Sequence, residues 1–397
     1  MRFLHTSDWH FGRTLHGTDL REAYEMWADH VVGLAHTHDL DAVLISGDVF
    51  DRGIPPVSMV RLLSETLQRL AEVTTVIITP GNHDAPTRLG FTAGLLKDNV
   101  VIATDPSQVG TPVQVRRNGE PVGYVYALPY LEPDIDRFRL ALDPQSPLAR
   151  SHEAVVGAAI DRVAENIEHT IANHPDQAEL PRVIMAHEFV VGGQPSQSER
   201  DLHIGGVDSV PSALFDIRID GKSVIDYVAL GHLHGPQQVH AEPPMRYAGS
   251  PLPFSFSEEH HTKSSVLVSI EHAGAVPDIE LIPAPVYRPL ATLRGSFDEL
   301  ISAQYAQFHD HFVRIYVTDI DRPDRMLARL RHYFPYVLEA HHDIGLKQLA
   351  SYDLNPAKID PREILVEFFV SAGGRELTPD ELALITAQWE ELGKVEK

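Results

Sequence analysis

Ala42-Val43-Leu44-Ile45-Ser46-Gly47-Asp48-Val49-Phe50-Asp51 is the stretch on which the fold turns. A short apolar, β-branched run of this kind reads as a buried strand. It stops at a glycine, and two carboxylates follow directly. The same grammar recurs along the chain. The run at 2–5 is followed by Asp8 and His10, and Thr75–Thr79 (TVIIT) by Pro80-Gly81-Asn82-His83-Asp84. The run RVIMA at 182–186 ends on His187, and DYVAL at 226–230 on Gly231-His232-Leu233-His234. Helical patterns over 20–36 and 58–70 separate the first three strands, which predicts α/β layering. In an open α/β sheet, ligands bind beyond the carboxyl ends of the strands. All these polar residues are therefore expected on one side of the sheet.

The residue types suit a pair of divalent cations. Carboxylate, amide and imidazole donors fit manganese, iron or zinc, and no thiolate favours a softer metal. Asp8-x-His10 and His232-x-His234 place alternate side chains on one side of an extended segment. Asp48 can bridge two ions, and Asn82 offers a neutral oxygen. Gly47, Gly81 and Gly231 let backbones approach closely. Two cations a few ångströms apart can activate water and hold a phosphoryl oxygen. Singly, each motif is weak. Asp-x-His and His-x-His arise often by chance, Gly-Asp is commonly a turn, and Asn-His-Asp can cap a helix. The weight lies in all five, in order, each at a strand end.

Composition bounds the rest. The 397 residues predict two or three domains. The absence of cysteine rules out disulfides and thiolate chemistry. With no secretory signal and no apolar run long enough for a membrane span, a cytoplasmic protein without membrane contact is expected. A net charge of −23 argues against unaided binding to nucleic acid, since phosphate neutralisation needs a basic face. Bound cations or a basic partner would have to compensate. Of 23 histidines, most must be bland. His5, inside the first strand, reads as a packed residue. His260-His261 and His341-His342 are neighbours that point to opposite faces of a strand and read as surface. Tyr247, Phe254 and Phe256 read as core.

Further strands are predicted at 100–104, 123–128 and 266–270, with a turn at Asn118-Gly119, a loop over 140–150 and a helix over 152–172. Ile282-Pro283-Ala284-Pro285 suggests a linker. Beyond it a β-α-β-α-β pattern restarts, with strands at 290–293, 311–317 and 336–340 and helices over 297–308 and 324–333. Two helices close the chain. Asp360-Pro361 opens one, and Thr378-Pro379-Asp380-Glu381 is a capping box before the stripe Leu382, Ile385, Trp389, Leu392. That stripe either packs on the chain's own core or docks a partner helix.

Taken together, Asp8-x-His10, Gly47-Asp48-x-x-Asp51, Gly81-Asn82-His83-Asp84, His187 and Gly231-His232-x-His234 resemble the signature of the calcineurin-like metallophosphoesterases. Thr6-Ser7-Asp8-Trp9-His10-Phe11-Gly12, Gly47-Asp48-Val49-Phe50-Asp51, Ser198-Glu199-Arg200 and Tyr247-Ala248-Gly249-Ser250-Pro251-Leu252 look like its SbcD branch of nuclease subunits. The resemblance is strong to about residue 260 and rests on layout alone beyond. It implies a layered sheet sandwich flanked by helices (1–285), a small α+β capping domain facing DNA (286–345) and a terminal helical segment (346–397) that docks an SbcC coiled-coil ATPase. By the same likeness, Asp8, His10, Asp48 and His234 hold one metal, and Asp48, Asn82, His187 and His232 the other, usually manganese. His83 is the catalytic histidine, Asp84 its orienting carboxylate, and Asp51 supports the ligands from behind. Gly235-Pro236 departs from the family, where a basic or polar residue often follows the last histidine.

Arg13, Arg88 and Arg200 sit beside motifs and are candidate phosphate contacts, an ordinary surface ion pair being the alternative. The chain has no nucleotide-binding loop. Gly221-Lys222-Ser223 mimics the end of one, but Asp216 stands where the pattern needs glycine. ATP dependence would then come from the partner, in a heterotetramer containing two copies of this chain. The expected activity is exonuclease action on duplex DNA and endonuclease action on single strands and hairpins, in repair, recombination and replication. The alternatives are a small-molecule or cyclic-nucleotide phosphodiesterase, against which the residues beyond Pro285 weigh, and a scaffold without catalysis.

Overall fold

The computed structural model describes residues 1–143, 145–199, 209–343, 377–379 and 381–386. Two six-stranded sheets stack face to face, with helices on both outer faces. One sheet runs, in spatial order, Asp278–Pro283, Ser264–Ser269, Arg2–Thr6, Ala42–Ser46, Thr75–Thr79, Val100–Ile102. Its last four strands are parallel. The other runs Gln237–Ala241, Pro244–Tyr247, Tyr227–Gly231, Arg182–His187, Glu120–Ala127, Val113–Arg117, and is parallel through its middle.

The period-two alternation of strands sorts their side chains between layers. Phe3, Ala42, Leu44 and Ile77 of the first sheet meet Val125, Val183, Met185, Tyr227 and Ala229 of the second in the central core. Leu4, Val43, Ile45, Val76 and Ile78 turn outward, against helices Arg21–Thr37 and Val57–Leu70. On the far side, Tyr126, Ile184, Ala186, Val228 and Leu230 pack under helix His152–Asn173. Each aliphatic side chain so enclosed contributes roughly 1.5–3 kcal/mol of burial. Strands buried on both faces explain why the sequence runs are continuously apolar. Asn118-Gly119 is the predicted turn, with φ of 53° and 89°, between antiparallel strands.

In the two large sheets four strands escape the periodicity: Val113–Arg117, Gln237–Ala241, Pro244–Tyr247 and Asp278–Pro283. They lie at or next to sheet edges, where one face meets solvent and polar residues are tolerated. The proline-spaced stretch 282–285 is not a free spacer, because it begins inside a strand and Ala284 is buried. Beyond it, Leu290–Gly295, Phe312–Val317 and Val337–His342 form a parallel three-stranded sheet around Leu293, Ile315, Val317 and Leu330. Its Leu290 and Phe312 belong instead to the core under the first sheet, so the two units share packing. The helix expected over 297–308 is two short pieces, Phe297–Leu300 and a 3-10 stretch Ala303–Phe308. The second buries no side chain and so has no face to propagate a longer helix.

The reciprocal capping box is present, with Glu381 accepting from the Thr378 backbone N–H at 2.9 Å and donating its own N–H to Thr378 Oγ1 at 3.4 Å. Asp360, Trp389 and Leu392 lie outside the described residues. No helix among the described residues is long and apolar enough to cross a membrane.

Candidate metal centre

The loops leaving Arg2–Thr6 and Ala42–Ser46 are zipped together beyond the strands. Asp8, His10 and Phe11 donate their backbone N–H to the carbonyls of Gly47, Asp48 and Val49 at 3.0, 2.9 and 3.0 Å. To do so while turning sharply, Asp8, His10 and Asp48 take φ of 54°, 45° and 48°, and His232 takes 109°. Left-handed backbone at a non-glycine residue costs on the order of 1–3 kcal/mol and collects at functional sites. Four of the seven expected ligands carry that strain. At Gly231 a Cβ would fall 1.8 Å from the Ser46 carbonyl oxygen, and at Gly81 2.2 Å from Asp48 Oδ1. The glycines are there because the strand-end loops nearly touch.

Around Asp48 the expected donors converge. Its Oδ1 accepts the His83 backbone N–H at 2.9 Å, which aims Oδ2 at His187 Nε2 (3.4 Å) and His10 Nε2 (3.5 Å). His10 Nε2 faces His234 Nε2 at 3.0 Å. Asn82 Oδ1 lies 3.1 Å from His187 Nε2 and 3.3 Å from His232 Nδ1. Asp8 clusters with His10 and His234, and also with Asp48 and His187, so it borders both groups of donors. The donor set fits cations. Ligands bonded at ~2.1 Å and at right angles stand about 3.0 Å apart, which is the spacing found here. Among the described residues His10 Nδ1 is buried with no hydrogen-bond partner, and the His10 and His234 Nε2 atoms point at each other. A shared positive ion accounts for two imidazole nitrogens aimed at one point.

Buried charge makes the same case. Burial, with the Asp48 charge adding to it, pushes the Asp8 carboxyl up to about 7. Burial above all drives His232 down to about 3 and holds His10 and His234 well below the usual histidine range. At His187 burial opposes the charge, but Asp48 and Asp8 prevail and hold the imidazolium up to about 10. At Asp48, likewise, burial is outweighed by His187 and His10, and the carboxyl titrates well below its ordinary value.

His83 lies at the rim of this group. Its Nδ1 donates to the Asp51 carbonyl at 2.8 Å, leaving Nε2 facing Asp48 Oδ2 at 3.9 Å. Asp84 does not orient it, contrary to expectation. That carboxylate accepts the backbone N–H of Val49, Phe50 and Gly81 at 3.0, 2.9 and 3.0 Å and ties two strand-end loops together. The reason is chain direction: after His83 the backbone turns back toward Gly81, and a short aspartate side chain reaches amides sooner than the ring. The Asp51 side chain sits 4.0 Å from His10 Nδ1.

Two of the three candidate arginines, Arg13 and Arg88, lie within the described residues. Arg13 donates to the Ser198 carbonyl, lies 3.8 Å from Asp51 Oδ1 and stacks over Phe254 at 4.9 Å. Arg88 donates to the Gly53 carbonyl. Arg200 lies outside the described residues. His5 is packed between Tyr227 Oη and the Leu230 carbonyl, both at 3.1 Å. Tyr247, Phe254 and Phe256 are buried, and His260, His261 and His341 are exposed. Lys222–Ser223 is one strand of a tight hairpin with Arg218–Ile219 rather than a phosphate loop.

Sequence reasoning missed the supports. Ser198 Oγ bonds His234 Nδ1, and Glu199 Oε1 accepts the His234 backbone N–H at 2.7 Å. Buried Lys263 donates to the His234 carbonyl at 2.8 Å, to Ser250 Oγ at 2.9 Å and to Glu258. The rings of His10 and His234 both meet Phe254 edge-on. Ser198-Glu199 was visible as a motif, but nothing in its spacing names His234 as its partner.

A two-sheet sandwich with strand-end Asp, Asn and His side chains gathered around one carboxylate is the architecture of a metal-dependent phosphoesterase. The family model for calcineurin-like phosphoesterase matches residues 1–236, and the chain belongs to that family. Within it, the chain is 30% identical over 316 residues to the SbcD subunit of the SbcCD nuclease of Escherichia coli (strain K12), covering 78% of this chain and 74% of that one. The corresponding subunit of Escherichia coli O157:H7 matches equally. A solved structure, TT1561 of Thermus thermophilus, aligns with a TM-score of 0.38 at 13% identity, over 72% of this chain and 99% of that one, too distant to add to the assignment.

Proposed function

We propose that this phosphoesterase is a manganese-dependent DNA nuclease, cutting duplex ends exonucleolytically and single strands or hairpins endonucleolytically, in DNA repair, recombination and replication. The observation that carries the reading is the convergence on Asp48 of donors from both sheets, in a chain 30% identical to an SbcCD nuclease subunit. Asp8, His10, Asp48 and His234 would hold one cation, and Asp48, Asn82, His187 and His232 the other. Bound there, the pair would lower the pKa of a water and stabilise charge on the phosphoryl oxygens.

The chain's own residues do the rest. Asp48 keeps both halves of the site in register through the His83 backbone. His83, with Nδ1 held by the Asp51 carbonyl, presents Nε2 toward the reacting phosphate. As imidazolium it donates that proton to the departing 3′ oxygen, an acid role worth about 10²–10⁴ in rate. Asp84 serves by fixing the loop on which Asn82 and His83 stand.

The division into a nuclease unit (1–285), a capping unit facing DNA (286–345) and a docking segment for an SbcC-type ATPase (346–397) belongs to the same proposal. A net charge of −23 supports the need for a basic partner. Self-association within a heterotetramer is supported by Val60, Phe91 and Leu95, exposed apolar side chains lining one surface depression. The deciding experiment compares manganese-loaded chain on hairpin DNA and on a small aromatic phosphodiester, with and without the ATPase. Hairpin cleavage that rises on adding ATPase and ATP is expected. Turnover of the small diester alone would make it a small-molecule phosphodiesterase, and turnover of neither a scaffold.

A further inference from the structure

The Ser-Glu pair at 198–199 has no part in the chemistry above, yet it meets His234 twice. Ser198 is buried, and its Oγ bonds His234 Nδ1. It also bonds Ser196 Oγ at 2.9 Å, and Ser196 Oγ in turn donates to Glu199 Oε2 at 2.8 Å. Glu199 Oε1 accepts the His234 backbone N–H at 2.7 Å. The chain of bonds begins and ends on the same histidine.

Its direction follows from donor counting. The terminal carboxylate can only accept, so Ser196 spends its single O–H on Glu199. Ser196 Oγ must then accept from Ser198, as it also does from the Ser198 backbone N–H at 3.3 Å. Ser198 has then used its own O–H and can only accept from the imidazole. The proton therefore sits on His234 Nδ1, and the lone pair sits on Nε2, the atom 3.0 Å from His10 Nε2. Arg13 anchors the segment by donating to the Ser198 carbonyl, and Lys263 holds the His234 carbonyl from the other side.

We infer that Ser196, Ser198 and Glu199 form a positioning relay that locks His234 in the Nε2-ligand tautomer, so that the affinity of one of the two cation sites is set by a carboxylate two hydroxyls removed. The inference rests on the reading of His234 as a ligand. Metal-ligating histidines are commonly fixed by a hydrogen bond to the other ring nitrogen, and loss of that support costs about 10–100-fold in affinity.

Glu199→Gln is the sharpest test, because it keeps shape and reverses polarity. Glu199 Oε2 also accepts the Ser196 backbone N–H at 2.7 Å, so the amide takes the place of an acceptor of that N–H; turned that way it donates to Ser196 Oγ, the relay runs backward, Ser198 donates to Nδ1, and the imidazole proton moves to Nε2. Manganese binding to the full chain, followed by electron paramagnetic resonance, is expected to show one site weakened about 10–100-fold in Glu199→Gln and Ser198→Ala, with the other near wild type. Ser198→Thr should restore affinity. Nitrogen-15 shifts of His234 in metal-free protein should report the Nδ1–H tautomer in wild type and its loss in Glu199→Gln. Wild-type affinity at both sites in Glu199→Gln, with thermal midpoint unchanged, would overturn the relay. A wild-type chain that binds no manganese at all would instead remove the metal-centre reading beneath it.

Discussion

Asp48 and His187, from different sheets, meet carboxylate to imidazole with Oδ2 and Nε2 3.4 Å apart. The contact spans the seam between the two halves of the sandwich. Asp48→Asn keeps the shape but loses the charge that faces His10 and His187. We expect manganese retained after dialysis to fall at both sites. Phosphodiester turnover should fall on the order of a thousandfold, the scale of a few kcal/mol of charge stabilisation. Metal analysis beside turnover of a chromogenic diester checks it. Full metal content in the variant would remove Asp48 from the bridging role.

His83 is close enough to His10 and Asp48 to be grouped with them as a donor. The two roles separate cleanly. As the acid, His83→Ala should lower turnover by about 10²–10⁴ with metal content unchanged. A variant that loses manganese would make His83 a ligand.

Metal loading should release protons. Asp8 rises to about 7 and His187 to about 10 in the folded chain, and both must be deprotonated to ligate. Affinity therefore climbs with pH. Below about pH 7 loading displaces about two protons, and above it about one. Calorimetric titration with manganese in buffers of different ionisation enthalpy measures this directly. An affinity flat between pH 6 and 8 would contradict it.

Behind His234, Lys263 and Glu258 form a buried ion pair, with side chains 7% and 0% exposed. Removing one partner strands a charge, at a cost of about 3–5 kcal/mol. Lys263→Met should lose about that much in urea unfolding. The double variant Lys263→Met/Glu258→Leu, which buries no ion, should recover most of it. Equal losses in single and double variants would mean the pair is not what stabilises this corner.

Gly231→Ala places a methyl 1.8 Å from the Ser46 carbonyl, with no flexible end to yield. Either the seam opens or the strand shifts, and His232 and His234 move with it. We expect loss of metal binding together with a lowered thermal midpoint. Gly157→Ala meets nothing within 4 Å inside a helix and serves as the control, expected neutral or slightly stabilising.

Much of the framework was legible because central strands announce themselves. Ala42–Ser46 and Thr75–Thr79 fall where the apolar runs are, since burial on both faces selects apolar residues through their middles. Edge strands such as Gln237–Ala241 were not legible, because half their residues face solvent and the pattern dissolves into that of a loop. The strand ends supplied all seven candidate ligands together with Asp51, His83 and Asp84, and the family resemblance separated the ligands from the others. The misreading of Asp84 came from treating sequence adjacency to His83 as contact, when the carboxylate reaches back to amides of a neighbouring loop.

By itself the sequence determined which residues end strands and carry donor atoms, because periodicity and residue chemistry are local properties written along the chain. It could not determine which carboxylate stands between which imidazoles, nor which nitrogen of each ring is free. Those follow from two sheets pressed face to face, which bring His187 and His234 against loops some 140 and 220 residues earlier. Only in that packing does the Ser46 carbonyl meet the ring nitrogen of His187. Such contacts depend on the register and stacking of whole layers, and a single strand carries no record of them.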